Sequence, residues 1–288
     1  MLSLITAQVA ILQVSQEEMF EYVLEDPLLG SSIYVNIALA GLTLLLFAYM
    51  GRDVGDPRAK LIVVSAMAVS AVSIASYTGL ASGLTISVIE MPEGHALAGN
   101  TVGLAGGGSA EGTVSLWGRY LTWAFSTPFI LLALGLLAGS NVTKIFTAIV
   151  FDVGIMITGL AAALTTSSYE MRWVWYAISC SFFLVVVYIL LFEWPDDAAR
   201  AGTEDIFNTL KLLTVVLWFG YTIWWAIGNE GLAIVADVAI TSWGYSAFDI
   251  VAKYAFSFLV VNYVVNNVDT VSQGADYGAT SGAIPADD

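Results

Sequence analysis

Seven long apolar segments dominate this chain, and each can cross a bilayer as an α-helix, which takes about 20 mostly apolar residues. Charged residues make up only 11% of the sequence and hydrophobic ones 58%, whereas a soluble domain has roughly 25% charged residues. The segments comprise residues 32–50, 61–89, 116–138, 143–166, 172–192, 205–228 and 240–267. We therefore predict an all-α, multi-pass membrane protein whose seven transmembrane helices form one bundle.

The two ends of the chain do not resemble the bundle. Residues 1–30 begin with an apolar run but lack a basic start, so we interpret them as an extracellular N-terminal leader segment and not as a span. Residues 269–288 are polar and rich in small residues, which predicts a disordered cytoplasmic tail. The bundle itself is predicted to occupy residues 31–268.

Basic residues indicate the orientation in the cell membrane. The long second connection, between the second and third spans, carries no Lys or Arg, and Arg172 stands near the start of the fifth span on the same side. Cytoplasmic loops carry an excess of basic residues. The first, third and fifth connections contain Arg52, Arg58, Lys60, Lys144 and Arg200. We therefore place the N-terminus outside and the C-terminus in the cytoplasm.

The net charge of −15 restricts the partners. Proteins that bind nucleic acid usually present basic patches, so nucleic acid is an unlikely partner. A strongly acidic surface is typical of proteins from salt-loving organisms, where salt screens self-repulsion.

Two charged residues interrupt the apolar seventh span. Asp249 and Lys253 are four residues apart, so a helix places them on one face. Charges at this depth usually face a bundle interior and indicate a functional site. One interpretation is a buried structural ion pair. The other is a chemically modified Lys253 with Asp249 as its counter-charge, since a desolvated amine suits a Schiff base with a carbonyl compound.

A polar stripe marks the third span. Arg119, Thr122 and Ser126 stand at i, i+3 and i+7, on one helical face. The two hydroxyls could instead bond to carbonyls of their own helix, but Arg119 needs a partner, and Asp249 is the obvious one. With a protonated Lys253 the charges sum to +1. Because an uncompensated buried charge costs several kcal/mol, we predict that a small anion such as chloride joins these hydroxyls.

Aromatic residues follow one face of the sixth span, at Trp218, Tyr221 and Trp225, and Trp123 stands on the third. Such stripes form either plain core or the walls of a site for a long, flat, apolar ligand. The remaining intramembrane acid, Asp152, is interpreted as protonated or hydrogen-bonded and as tying two helices together.

Long stretches of the chain resemble the microbial rhodopsins, and among them the haloarchaeal halorhodopsins. The resemblance covers residues 30–268 and is carried by EMPEGHALAG, WGRYLTWAFSTPFILLALGLLAG, TGLAAALTTSS, RWVWYAISC, TLKLLTVVLW and TSWGYSAFDIVAKY. It implies a light-driven inward chloride pump with all-trans retinal bound to Lys253 as a Schiff base and Asp249 as counter-ion partner. The implied retinal-binding residues also include Trp123, Trp218, Tyr221, Trp225, Thr158 and Gly159.

The resemblance also implies the path of the anion. Chloride would be held by Thr122, Ser126, Arg119 and Lys253. Proton-pumping relatives have aspartates at the positions of Thr122 and Ala133. The residues expected at the cytoplasmic exit are Thr214 and Lys211. Homotrimers, sometimes with a carotenoid, are common in the family.

The sequence departs from the family pattern at two places on the sixth span. The family usually has Tyr-Pro where this chain has Tyr221-Thr222, and a smaller residue in place of Trp224. Losing proline removes a helix kink and restores a backbone donor. The altered span leaves open an alternative, a sensory rhodopsin coupled to a membrane transducer. An outward proton pump is disfavoured by the missing carboxylates, and an enzyme by the lack of a visible nucleophile–base pair.

Overall fold

The computed structural model describes residues 14–104 and 107–273 of the chain, and seven of its helices are long and apolar enough to span a membrane. A short helix α1 (Gln16–Glu25) precedes them. The seven are α2 (Pro27–Met50), α3 (Pro57–Ala81), α4 (Gly118–Leu137), α5 (Val142–Leu164), α6 (Tyr169–Arg200), α7 (Glu204–Ile227) and α8 (Val238–Asn266). The predicted seven-helix bundle is confirmed.

The first span begins earlier than predicted, at Pro27 instead of residue 32. The side chain of Asp26 accepts hydrogen bonds from the backbone amides of Leu28 and Leu29, both at 3.0 Å. An N-cap carboxylate followed by proline in the first turn favours helix initiation at this point. The cap therefore extends α2 beyond the purely apolar segment.

The second span is shorter than predicted, since α3 ends at Ala81 and does not reach residue 89. Gly83 has a φ of +73°, the left-handed conformation that commonly stops a helix. An added Cβ there would lie 2.6 Å from the backbone of Gln16 and of Phe20. Gly83 thus ends α3 and lets α1 pack closely against this turn.

The glycine-rich connection after α3 contains strands, which the sequence did not predict. The strands β1 (Ser87–Ile89), β2 (Thr101–Gly103), β3 (Ser109–Glu111) and β4 (Thr113–Ser115) are short. They form two antiparallel pairs, β1 with β4 and β2 with β3. Val114 of β4 packs in one cluster with Met19 and Val23 of α1. Helix α1 and these strands cover one end of the bundle, which we call the N-terminal face.

At the opposite face, α6 continues to Arg200 through a stretch predicted as a charged loop. A π-helical turn, Ile189–Glu193, lies within it. Buried Asp197 accepts hydrogen bonds from Ser140 at 2.6 Å and Lys144 at 2.9 Å, and it also pairs with Arg200. Pairing with two cations lets this carboxylate stay buried, so the charged stretch folds as helix.

One further boundary prediction needs correction, at the end of the chain. At the start of α7, Thr203 stands at the N-cap without a side-chain cap, and its hydroxyl donates to the Leu137 carbonyl at 2.8 Å. Residues 268–273 are helical, so the predicted disordered tail does not begin at residue 269. The rest of that tail, and residues 1–13 of the predicted leader, lie outside the described part of the chain.

The core holds the helices together while their outer faces remain apolar. Phe256, Val260 and Val264 of α8 pack in one buried cluster with Ile62 of α3 and Trp194 of α6. The outward-facing side chains Leu45, Phe146, Ile157 and Phe192 are exposed by 61–71%. Exposed apolar surface of this extent suits lipid contact, so hydrocarbon surrounds a bundle whose polar groups are inside.

Candidate functional site

Asp249 is the centre of a buried hydrogen-bond cluster. Lys253 Nζ lies 3.0 Å from Asp249 Oδ2, and both residues are 1% exposed. Three neutral donors reach the same carboxylate: Tyr77 at 2.5 Å, Tyr221 at 2.5 Å and Trp123 at 3.1 Å. A carboxylate that accepts several hydrogen bonds is favoured in its charged form. The predicted pair is therefore present, and its negative charge is shared among four donors.

A widened helical turn presents Lys253 to the bundle interior. Residues Ile250–Ala255 of α8 are π-helical. Such turns are rare and occur frequently at functional sites. They displace side chains from regular helical spacing, and the lysine in this turn lines the aromatic cavity described below.

Arg119 does not pair directly with Asp249, which corrects the predicted contact. Its guanidinium donates to the Tyr77 hydroxyl at 3.3 Å and to Ser242 Oγ at 2.5 Å. Tyr77 in turn donates to Asp249. The two charged residues are thus joined through a tyrosine hydroxyl, because Tyr77 occupies the space next to the carboxylate.

The charge of this cluster is unbalanced. Arg119 and a protonated Lys253 contribute two positive charges, and Asp249 contributes one negative charge. Arg119, Asp249 and Lys253 are all at least 96% buried. The other acid deep in the bundle, Asp152, bonds instead to Thr127 at 2.6 Å. The sum is +1, as predicted, and it is buried where compensation is needed.

The hydroxyls of Thr122 and Ser126 lie on the same helix as Arg119. Thr122 is 1% exposed, and its hydroxyl donates to the Gly118 carbonyl at 3.1 Å, the back-bonding alternative considered above. Ser126 is fully buried, and its hydroxyl has no hydrogen-bond partner within the described residues. Buried polar atoms nearly always have partners. Ser126 therefore offers a donor to a species that is not part of the protein.

Aromatic side chains and Lys253 line one cavity between α4, α5, α6, α7 and α8. Counted together with the space that is open to solvent, it measures about 780 Å³. The predicted residues Trp123, Trp218, Tyr221, Trp225 and Gly159 all line it. Other lining residues, such as Met156, Ser179 and Cys180, lay in apolar spans without a distinguishing pattern.

Thr158 does not line this cavity, contrary to the retinal-binding role implied for it. Its hydroxyl donates to the Gly154 carbonyl at 2.7 Å, one turn back along α5. The Thr158 hydroxyl is therefore bonded within its own helix, and the neighbouring Gly159 lines the cavity. A side chain at Gly159 would come within 3.3 Å of the Tyr120 ring, so the glycine keeps space between α4 and α5.

Asp152 behaves as predicted, since its hydrogen bond to Thr127 joins α5 to α4. Thr127 also donates to the Trp123 carbonyl at 2.8 Å. Among the described residues, the two predicted at the anion exit form side-chain hydrogen bonds within α7: Lys211 donates to Asn208 at 2.7 Å, and Thr214 donates to the Leu210 carbonyl at 2.9 Å.

The two departures on α7 have structural counterparts. The helix runs without a break through Thr222, whose hydroxyl donates to the Trp218 carbonyl at 3.1 Å. The Trp224 indole donates to the Thr241 carbonyl at 2.9 Å. A Cβ at Gly244 would lie 2.1 Å from that indole, so only glycine leaves room for the ring. Trp224 thus ties α7 to the start of α8.

His95 in the connection after α3 gives the N-terminal face a pH dependence. Its Nδ1 accepts a hydrogen bond from the Leu97 amide at 3.1 Å. Burial, and secondly the charge of Arg172, holds the pKa of His95 below its ordinary value of 6.5. Just below pH 6.5, His95 therefore binds a proton more readily in the unfolded chain than in the folded one. The free energy of unfolding consequently falls as the pH is lowered through this range.

We expect the Leu97 amide to lose protection from hydrogen exchange as the pH falls below about 6.5, after correction for intrinsic exchange chemistry. Protonation of Nδ1 turns the acceptor into a donor and breaks the bond. The variant His95→Asn keeps an acceptor that does not titrate, and its protection should be independent of pH. Equal pH dependence in both proteins would contradict this assignment.

Comparison with known proteins agrees with the fold. A family model described as bacteriorhodopsin-like protein matches residues 27–267. The halorhodopsin of Natronomonas pharaonis is 65% identical over 277 residues, which cover 96% of this chain and 94% of that protein. A solved structure titled halorhodopsin, a light-driven chloride pump, is 53% identical with a TM-score of 0.80, covering 86% of this chain and 99% of that one.

A bromide-bound halorhodopsin from Halobacterium salinarum is similarly close, at 52% identity and a TM-score of 0.80, with 87% of this chain and 99% of that one covered. The chain therefore belongs to the bacteriorhodopsin-like family of microbial rhodopsins, and within that family it groups with the halorhodopsins. The sensory alternative is not favoured by these relatives.

Proposed function

We propose that this protein is a light-driven pump that moves chloride inward across the cell membrane. The observation that carries the proposal is the buried hydroxyl of Ser126, which has no partner among the described residues and lies on the same helix as Arg119, a member of the buried cluster with one excess positive charge. A halide supplies the missing negative charge and accepts a hydrogen bond. Similar solved structures include a halorhodopsin described as a light-driven chloride pump and one in a bromide-bound form, which supports this choice of anion.

The cavity fits retinal, the chromophore that the family implies. Seven aromatic side chains line it, and it contains the amine of Lys253. When bound to Lys253 as a Schiff base, retinal would supply light absorption and isomerisation. Trp123, Trp218 and Trp225 would hold its polyene, while Asp249 would fix the orientation of the nitrogen through its contact at 3.0 Å.

The residues of the site would make the transported species an anion and not a proton. Asp249 already accepts four hydrogen bonds, so it is a poor site for a transferred proton. Thr122 and Ala133 occupy the positions of the aspartates in proton-pumping relatives and carry no carboxylate. The anion, drawn by Arg119 and Lys253, is the species free to move.

The direction of transport follows from the proposed orientation. The basic residues of the connections at the opposite face, among them Arg52, Arg58 and Lys144, support a cytoplasmic location of that face. The N-terminal face, with α1 and the strands, would be extracellular. Chloride would leave toward Lys211 and Thr214, near the end of α7 that meets the cytoplasm.

We further propose a homotrimer, with a carotenoid at its apolar outer surface, on the basis of the family resemblance. The mass of the detergent-solubilised protein, measured by light scattering, should equal three chains. A single-chain mass in mild detergent and in native lipid nanodiscs would overturn it.

Ser126→Ala gives the sharpest test of the halide site. We expect the halide dissociation constant to rise at least about tenfold, because hydrogen bonds to charged groups contribute roughly 1.5–3 kcal/mol. The melting temperature without halide should not fall, since the deleted hydroxyl has no protein partner. Chloride titration of the visible absorption band measures the affinity, and circular dichroism measures the melting.

Ser65→Ala is the matched control, since this serine is also buried but donates to the Leu61 carbonyl on α3. Its halide affinity should equal that of the unmodified protein. If the halide dissociation constant of Ser126→Ala lay within twofold of the parent value, the Ser126 hydroxyl would not be part of the halide site.

Transport itself is tested in cells or vesicles under flash illumination. Inward chloride movement should draw protons in passively, so the medium should become alkaline, and a protonophore should enhance this change. The signal should disappear in sulfate medium. A signal that persists unchanged without any halide would refute chloride pumping.

A further inference from the structure

A second, smaller cavity lies between the large cavity and the N-terminal face. Arg119, Trp123 and Ser242 line its inner part, and Asn229 and Glu230 of the connection between α7 and α8 line it as well. Trp123 also lines the large cavity. An anion that approaches Arg119 from the N-terminal face would pass through this space.

Glu230 is the only acidic side chain on the described walls of this second cavity. It is 8% exposed, and both carboxylate oxygens are held by neutral donors: Ser115 Oγ at 2.7 Å and Tyr120 Oη at 2.7 Å. Among the described side chains, no cation pairs with this carboxylate. Its negative charge therefore faces the cavity without a direct ion pair, where it can repel an entering anion.

The backbone of Glu230 is fixed while its side chain is held only by hydroxyls. Arg172, fully buried, donates to the Glu230 carbonyl at 2.6 Å and to the carbonyls of Ala163 and Thr165 at 2.9 Å and 2.8 Å. A change in the hydroxyl contacts could thus move the carboxylate without moving the loop.

One of those hydroxyls connects Glu230 to the large cavity. Tyr120 Oη accepts a hydrogen bond from Trp225 Nε1 at 2.7 Å while it donates to Glu230. Trp225 lines the large cavity and stacks on Tyr176, with ring centroids 4.8 Å apart. The chain of contacts from Trp225 through Tyr120 to Glu230 is continuous, whereas Ser115 holds Glu230 from the strand side alone.

We propose that Glu230 is the gate residue for anion entry, and that Tyr120 and Trp225 link its position to the state of the large cavity. The inference rests on the proposed function, since it concerns the entry step of that pump. In the dark the carboxylate, held by Ser115 and Tyr120, opposes entry toward Arg119. Displacement of Trp225 would move Tyr120, which accepts its indole hydrogen bond, and would thereby shift the carboxylate to which Tyr120 donates.

The first test measures the second-order rate constant of chloride rebinding after a flash, from the dependence of the recovery rate on chloride concentration. Glu230→Gln should raise it by about tenfold at low ionic strength, the lower end of electrostatic effects on association, and the gain should shrink in high salt. Glu111→Gln is the control, because it removes an exposed acid of β3 on the same face. A rate constant for Glu230→Gln within twofold of the parent value would overturn the proposed role of Glu230 in anion entry.

The second test follows the link by light-minus-dark infrared difference spectroscopy. A carboxyl band should be absent in Glu230→Gln, diminished in Tyr120→Phe and retained in Ser115→Ala. Tyr120→Phe and Ser115→Ala each remove one hydroxyl that donates to the Glu230 carboxylate, but of the two only Tyr120 is hydrogen-bonded to Trp225. Equal effects of the two variants on the carboxyl band would therefore reject the proposed link from Trp225 to Glu230.

A parent protein with no chloride-dependent recovery at all would instead refute the proposed pump.

Discussion

A Lys253→Ala variant treated with all-trans retinal should have no visible absorption band and no light-driven chloride uptake. Lys253 is the only amine among the described residues that line the large cavity. Its removal leaves retinal without an attachment point. Absorption spectra of the purified protein, together with the vesicle assay in chloride medium, measure the two losses.

Two variants separate attachment from folding. Lys253→Arg retains a positive charge beside Asp249 but cannot form the imine, so it should fold and remain colourless. Cys180→Ser removes the thiol on the cavity wall and should keep the band. If Lys253→Ala kept the band and Cys180→Ser lost it, retinal would be attached to Cys180 and the prediction for Lys253 would be wrong.

The sequence predicted the seven helices because their signal is local. Apolar segments of 19 residues or more with few charges have few alternatives to a transmembrane helix. The boundaries were less predictable, since they depend on single residues. The Asp26 cap lengthens α2, and Gly83 shortens α3. Helix α6 extends because Asp197 finds Ser140 and Lys144, more than 50 positions away in sequence.

The same distinction holds within the site. Asp249 and Lys253 were predictable because they are four residues apart on one helix. Tyr77 was not predicted, since its contact with Asp249 spans 172 positions, and a single tyrosine in an apolar span has no distinguishing pattern. For that reason the sequence suggested a direct contact from Arg119 to Asp249 where the structure has a bridging hydroxyl. Glu230 was overlooked because a lone acid in a loop usually faces solvent.

Thr122→Asp should weaken halide binding by at least about a hundredfold and abolish chloride-dependent transport. The substitution adds one negative charge to a buried cluster that carries +1, so the net charge becomes zero without a halide. A unit charge about 4 Å away contributes roughly 4 kcal/mol at an effective dielectric constant of 20. Chloride titration of the absorption band and the vesicle assay in chloride and sulfate media measure the two effects.

Thr122→Asn separates charge from size, since asparagine matches aspartate in volume but is neutral. Because the Thr122 hydroxyl bonds to its own helix at Gly118, its loss alone should change halide affinity much less than the added carboxylate does. Equal affinities in Thr122→Asp and Thr122→Asn would show that shape, and not the surplus positive charge of Arg119 and Lys253, selects the anion. A clear difference would mean that the halide replaces a carboxylate that this chain lacks.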